Sequence, residues 1–445
     1  MPSPNRRLSV VLAAAMFTLA LSAPSQARGQ GAKPKPKRYV LVFKMGTSAY
    51  ERQQACVRMG LREVEDFSFL NIVVAVPDAG ARLDSADSQA AAGDDVEGVE
   101  EDFYANWIKS DQPSLESAFS SARAFTKSVS LAPRAPAPSA QPAVPWGIER
   151  VGAPKAWNRR DPATMGAGVK VAVVDTGIDC GHPDLQCDAS AGFNALDEES
   201  APDDDNGHGT HVAGTIGGKG QAAPDGKLVY GVAPMATLIP VKVLDKDGGG
   251  ALSDVVRGIN WAAQSGVDII SMSLGSPKGS PTLQKAVKAA YDRGVTVVAA
   301  AGNSGAGNGG DTVGYPGRYP EAIAVAASDQ DDNIADFSSR GPEVAFTAPG
   351  VGIESTWPGG GYKTLSGTSM ATPHLSGLAA LVIAAGARGT ERVRQALARA
   401  SKRLCHVDIC PPSNAQGGGM PSAVQLAGGS DAVLASAAPF GLGGR

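Results

Sequence analysis

For its larger, C-terminal part the sequence predicts an α/β fold, a mainly parallel sheet with helices on both faces, preceded by a small α+β domain. Three observations carry this reading. The runs "VKVAVVDTGI", "TLIPVKVL", "VDIISMSL" and "GVTVVAAAGN" are apolar without strict alternation, as strands buried on both faces are. Helical patterns lie between them, one capped by Ser253 and running towards Gly266, another opened by Pro281 and stopping near Gly294. Strands that alternate with helices build parallel sheets covered on both sides. The third observation is a break. From Ser110 to Pro145 the chain is rich in Ser, Ala and Pro and ends in "APRAPAPSAQPAVP", a composition that forms no core and separates two folded parts.

The chain has 445 residues, enough for one large domain and a smaller one, and its 43% hydrophobic content can fill both cores. A net charge of −4 argues against nucleic acid as a partner. No apolar run is long enough to hold the mature chain in a membrane.

Residues 1–27 read as an export signal: Arg6 and Arg7 precede the apolar run Leu8 to Leu21, and Ser25-Gln26-Ala27 offers small residues for cleavage. The protein is therefore expected to be secreted. Residues 38–108 follow as the small domain, with β-rich "RYVLVFKM" and "FLNIVVAVP" and an acidic turn in "DDVEGVEEDFY" leading to a last strand. Residues 109–143 are the linker, open to proteases. The large domain spans 144–428, and 429–445 is a Gly- and Ala-rich tail. Five cysteines suit an exported protein: Cys180 with Cys187 and Cys405 with Cys410 each bracket a short loop that a disulfide can close, and Cys56 stands alone. No second Cys or His pair sits at zinc spacing beside either pair.

Three residues carry candidate chemistry. Asp175 ends the strand "VAVVD", His208 lies in "DDDNGHGTHVAGTIG", and Ser369 lies where "SGTSMATPH" enters a helix. Each has a plainer role open to it: a turn former, half of a His208–His211 metal pair, a helix cap. The metal reading lacks the Glu of an H-E-x-x-H pattern. Together the three form an acid, a base and a nucleophile. A serine is inert at neutral pH until a histidine takes its proton, and a buried carboxylate on the other ring nitrogen fixes the histidine tautomer. The chain order Asp, His, Ser is that of subtilisin, unlike the orders in chymotrypsin and the α/β-hydrolases.

The segments "VVDTGID", "NGHGTHVAGTI" and "SGTSMATPHLSG", with "SMSLG", "AAAGN", "TVGYPGRYP" and "FSSRGPEVAFTAPG", closely resemble the subtilisin-like serine proteases over residues 144 to 385. The resemblance implies a serine endopeptidase with Asp175, His208 and Ser369 as catalytic triad and Asn303 as oxyanion-hole donor. It places Ser273, Leu274 and Gly275 beside the substrate backbone, and Ala300, Ala301, Gly302 and Gly314 along the pocket for the residue before the cut. Those small walls imply a broad enzyme that prefers large hydrophobic residues. Residues 38–108 resemble the inhibitor-type propeptides of the family through "YVLVFK" and "VEEDFYANW". They would act as intramolecular chaperone and inhibitor of a self-processing precursor, whose mature form is expected to be monomeric and to take protein or peptide substrates.

The chemistry needs no cofactor, but many relatives bind structural calcium, and Asp184 in "CGHPDLQC" matches one ligand position. The other ligands do not carry over: "GGKGQAAPDGKLVYG" is longer than the usual calcium loop, and Pro142 stands where a Gln is often found. Two rival functions remain at this stage, a catalytically dead binding protein on the same fold and a metal hydrolase using His208 and His211. The first is disfavoured by the complete triad with Asn303, the second by the missing Glu.

Overall fold

The computed structural model describes residues 37–79, 93–108 and 144–428, apart from 159, 222–227, 306–309 and 406–409. The export signal, the linker and the tail lie outside the described residues.

The N-terminal domain contains β1 (Tyr39–Phe43), α1 (Ala49–Arg58), β2 (Leu61–Phe67), β3 (Ile72–Pro77), β4 (Val96–Glu101) and a short β5 (Tyr104–Asn106). The first four strands form an antiparallel sheet in the order β2-β3-β1-β4. A capping box opens α1: Ser48 accepts from the Glu51 N–H, and Glu51 accepts from the Ser48 N–H. The strand β1 is apolar at every position because both its faces are covered. Leu41 and Phe43 pack with Ala55, Cys56 and Met59 in the domain's own core. Val40 and Val42 instead join a core shared with the larger domain. Burial pushes the Cys56 thiol up to about 11, so this lone cysteine acts as a small core hydrophobe.

The larger domain is built on seven parallel strands: β6 (Lys170–Asp175), β7 (Phe193–Asn194), β8 (Thr237–Lys242), β10 (Ile269–Met272), β11 (Thr296–Ala300), β12 (Ala322–Ser328) and β13 (Val344–Pro349). A three-residue β9 (Gly249–Ala251) stands outside that sheet. Its longer helices are α2 (His208–Gly217), α3 (Leu252–Gln264), α4 (Pro281–Asp292), α5 (Thr368–Ala384) and α6 (Thr390–Arg399). Successive strand residues point to opposite faces and fill separate cores. Val171, Val173, Leu238 and Val298 pack with α2 and α5 residues such as Val212 and Leu375. Ala172, Val174, Ile239 and Val297 pack with Val255 and Ile259 of α3 and Leu283 and Val287 of α4.

The strand order β13-β12-β11-β10-β6-β8-β7 fixes where a site can form. From β6 the chain moves to one side through β7 and β8, then crosses to the other side for β10 to β13. The gap beyond the carboxyl ends of β6 and β10 is the topological switch point, where open α/β sheets bind ligands. Asp175 is the last residue of β6.

One sequence reading changes, and two strands had not been singled out. The strands β12 and β13 carry too much alanine and too few β-branched residues to stand out, although β13 lies within "EVAFTAPG". Ser253 does not cap α3. It sits inside the helix, and its N–H and Oγ both donate to Asp102 of the N-terminal domain at 2.8 Å. The expected opening of α4 at Pro281 holds, with Ser280 accepting from the Leu283 N–H. Glu100 of the N-terminal domain accepts from Ser280 Oγ at 2.8 Å and from the Thr282 N–H at 3.0 Å. Two carboxylates of the small domain thus sit on the positive ends of two helices of the large one. The contact is completed by β5, which pairs antiparallel with β9.

Candidate active site

Asp175 is fully buried and accepts the Thr176 N–H at 2.8 Å. His208, the first residue of α2, places Nδ1 at 2.8 and 3.0 Å from the two Asp175 oxygens. Burial works to lower the His208 pKa, but the charge and hydrogen bond of Asp175, aided by the charge of Asp204, outweigh it and hold the imidazole above its ordinary value. The preceding residue must be glycine. Gly207 has φ +109°, and a Cβ there would lie 2.3 Å from the Trp357 ring.

A residue the sequence reading passed over ties this pair together. Asp204 accepts from Thr176 Oγ1 at 2.8 Å, from the N–H groups of Asn206 (3.1 Å), Gly207 (2.8 Å) and Thr210 (2.9 Å), and from Thr210 Oγ1 at 2.6 Å. It therefore joins the end of β6 to the start of α2. Its signal was the acidic run "DDD" before His208, where only one of three carboxylates turns inward. Lys242, beside Asp175 in the sheet, is likewise buried and donates to the Thr176 carbonyl at 2.7 Å and to Asp205 at 2.6 Å.

Ser369 is the second residue of α5. Its Oγ donates to the Ser273 carbonyl at 3.0 Å, and Ser273 Oγ donates to the Ser369 carbonyl at 2.8 Å. Asn303 accepts from the N–H of Thr368 at 2.9 Å and from its hydroxyl at 2.8 Å. A backbone N–H can only donate, so these bonds fix the side-chain oxygen of Asn303 inward and leave its NH₂ to the cavity. His208, Asn303, Ser369 and Met370 all line one cavity of about 240 Å³. Four segments far apart in the chain thus meet with the residue types of nucleophile, base, orienting acid and oxyanion donor.

Residues 166–423 match the model of the subtilase family. The chain belongs to the subtilase family. Over 240 residues it is 52% identical to Subtilisin BL and to Subtilisin Savinase, both of Lederbergia lenta, covering 54% of this chain and 84% of each relative. The M-protease of Shouchella clausii (strain KSM-K16) is also 52% identical over 240 residues, 59% of its length. This subtilase is accordingly a serine endopeptidase.

A second cavity of the subtilase, about 60 Å³, is lined by Leu274, Gly275, Ala300, Gly302, Asn303, Gly314 and Ser369, together with Trp107 of the N-terminal domain. Of the residues expected there, Ala301 is fully buried, and its backbone bonds Val325 and Gly314. Ser273 faces Ser369 instead. Trp107 lies along this groove as an extended peptide would. Its N–H donates to the Gly248 carbonyl at 3.1 Å and its carbonyl accepts the Gly275 N–H at 2.9 Å. Its indole N–H donates to the Gly250 carbonyl at 2.9 Å. Ile108 lines the larger cavity beside His208 and Ser369.

The alternative metal pair of His208 and His211 has no support in this geometry. His211 is buried with Nε2 3.0 Å from the carbonyls of Ile353 and Lys363, so it donates there, and burial holds it down at about 3. Asp184 does not suit calcium either. Its carboxylate is fully buried and faces three protein donors: the Gln221 N–H, the Val229 N–H at 2.7 Å and the Tyr362 hydroxyl at 2.8 Å. A calcium ion needs those lone pairs and several further oxygens, whereas N–H and O–H groups aimed at the carboxylate do the cation's work. The Cys180 and Cys187 sulfurs are at bonding distance, 1.90 Å, and close the loop that carries Asp184; those of Cys405 and Cys410 are 1.94 Å apart. Asp184→Ala is therefore expected to lower the melting temperature by several degrees, equally with and without a calcium chelator, because buried donors lose their acceptor. A drop seen only when calcium is present would contradict this reading of Asp184.

Proposed function

We propose that this subtilase is a secreted endopeptidase, made as a self-processing precursor, which cuts peptide bonds with Asp175, His208 and Ser369 as its triad and Asn303 in its oxyanion hole. The observation that carries the proposal is the 2.8 Å contact of His208 Nδ1 with the buried Asp175, in a cavity that Ser369 and Asn303 also line. With Nδ1–H held by the carboxylate, Nε2 keeps its lone pair and is the proton acceptor. For attack, the Ser369 hydroxyl leaves the Ser273 carbonyl, turns to the imidazole and transfers its proton as Oγ bonds the substrate carbonyl carbon. The charge that develops on the substrate oxygen is met by the Asn303 NH₂ and by the Ser369 N–H, which α5 cannot use because it belongs to the helix's first turn. The imidazolium then protonates the leaving amine, and water repeats the sequence to release the acid.

Substrate is held chiefly through its backbone, by strand addition against Gly248 to Ala251 and Gly275, which explains breadth of specificity. The small residues Ala300, Gly302 and Gly314 favour a large hydrophobic side chain before the cut. The Trp107 contacts support the same register for the N-terminal domain, which acts as chaperone and inhibitor and ends near the first processing site. No cofactor takes part in these steps, and the mature enzyme acts as a monomer. A fluorophosphonate probe tests the assignment: wild type with its N-terminal domain removed should be labelled on Ser369 alone. Peptide hydrolysis without labelling, or labelling elsewhere, would overturn it.

A further inference from the structure

The proposed chemistry leaves one wall of the active-site cavity without a role. It is formed by Trp357 and Lys363, on the hairpin of β14 (Ile353–Trp357) and β15 (Gly361–Leu365), with Leu365 beside them. Ser355 pairs with Lys363 and Trp357 with Gly361, so Trp357 and Lys363 fall on the same face of the hairpin as diagonal neighbours. The Lys363 ammonium sits 3.9 Å from the centroid of the Trp357 ring. Among the described residues no carboxylate lies within ion-pairing distance of it, so the indole face is what holds this cation in place. Its backbone is fixed as well, because the Lys363 carbonyl accepts from His211. The acid that also lines this cavity, Asp247, is paired with Lys246 at 2.6 Å.

The path of the N-terminal domain gives this wall a place along the substrate. Residues 103–108 bond Gly248, Leu252 and Gly275, and Ile108 reaches the cavity of His208 and Ser369. A substrate of that polarity runs past Gly248 towards Ser369, and Trp357, Lys363 and Leu365 line the cavity into which its residues after the cut would continue. We infer that Lys363, propped on Trp357, forms a leaving-side subsite for an acidic side chain on the first to third residue after the scissile bond. The inference rests on the endopeptidase reading above. It adds a preference that the apolar pocket before the cut does not supply: an ammonium with no carboxylate at ion-pairing distance among the described residues gains from a substrate carboxylate and loses from a second cation.

The test uses quenched fluorescent peptides that share one hydrophobic residue before the cut and carry Glu, Gln or Lys in turn at each of the three positions after it. Wild type should cleave the best Glu peptide about fivefold faster in kcat/KM than its Gln counterpart, in the range of a partly exposed ion pair, and the Lys peptide more slowly still. Raising the salt concentration should shrink the ratio. Lys363→Gln should bring it to about one, Lys363→Glu should invert it, and Lys363→Arg should keep it. Equal Glu-to-Gln ratios in wild type and Lys363→Gln, with all peptides cleaved, would overturn the subsite. Failure to cleave any peptide, by protein that also takes up no fluorophosphonate, would overturn the endopeptidase reading beneath it.

Discussion

Asp175→Asn is expected to lower kcat by about 10⁴-fold while leaving KM within a few-fold of wild type. The amide can present NH₂ to His208 Nδ1, which moves the ring proton to Nε2 and removes the base that Ser369 needs. The variant should still fold, because the Thr176 N–H and the Asp204 bonds to Thr176 and Thr210 remain. A change in pH profile should accompany the loss. Asp175 is the main reason the His208 pKa stands above its ordinary value, against the effect of burial. In wild type the imidazolium therefore persists to higher pH, and kcat/KM should reach half its maximum above the ordinary imidazole value of about 6.5. In Asp175→Asn the residual activity should rise at lower pH. A variant with near-wild-type turnover and an unmoved acid limb would remove Asp175 from the mechanism.

The second large effect concerns the proposed nucleophile. Ser369→Ala should cost about 10⁶-fold in kcat, the size of loss known for the equivalent serine of subtilisin, with the remainder supplied by the oxyanion hole and binding. The fold should be retained. Ser369 contributes one hydroxyl bond, to Ser273, whereas its N–H and carbonyl positions in α5 are untouched by the change.

Much of this site could be read along the chain because its parts sit on signals that sequence preserves. Asp175 ends an apolar run, His208 lies between two glycines at a helix start, and Ser369 follows a glycine-threonine turn. Local pattern gives each a place, and their order gives the chemistry. What stayed hidden depended on contacts between distant segments. Asp204 drew no notice in the run "DDD", and only the fold surrounds it with five donors. Ser253 looked like a helix cap, but the cap comes from Asp102, 151 positions away. Asp184 matched a ligand position, yet only the folded loop reveals the Tyr362 hydroxyl and two N–H groups already on its oxygens. Lys363 and Trp357 stand six residues apart in an unremarked stretch, and only hairpin register brings them together over the cavity.

If the proposed function holds, the path of the N-terminal domain predicts self-cleavage at the same site. Trp107 and Ile108 each line a cavity that Ser369 also lines, so the proposed first cut would be intramolecular and would benefit from a high effective concentration. The linker of residues 109–143 would then be trimmed back towards Val144. The freed domain keeps its capping contacts from Asp102 and Glu100, so activity should lag behind cleavage until it is degraded. The most direct measurement is to express the wild-type precursor and its Ser369→Ala variant separately and to follow each by electrophoresis and N-terminal sequencing. Wild type should yield two chains cut just after Trp107 or Ile108, and Ser369→Ala should remain one uncut chain. Cleavage of purified Ser369→Ala at that same site, with no other protease present, would contradict Ser369 as the nucleophile of a self-processing enzyme.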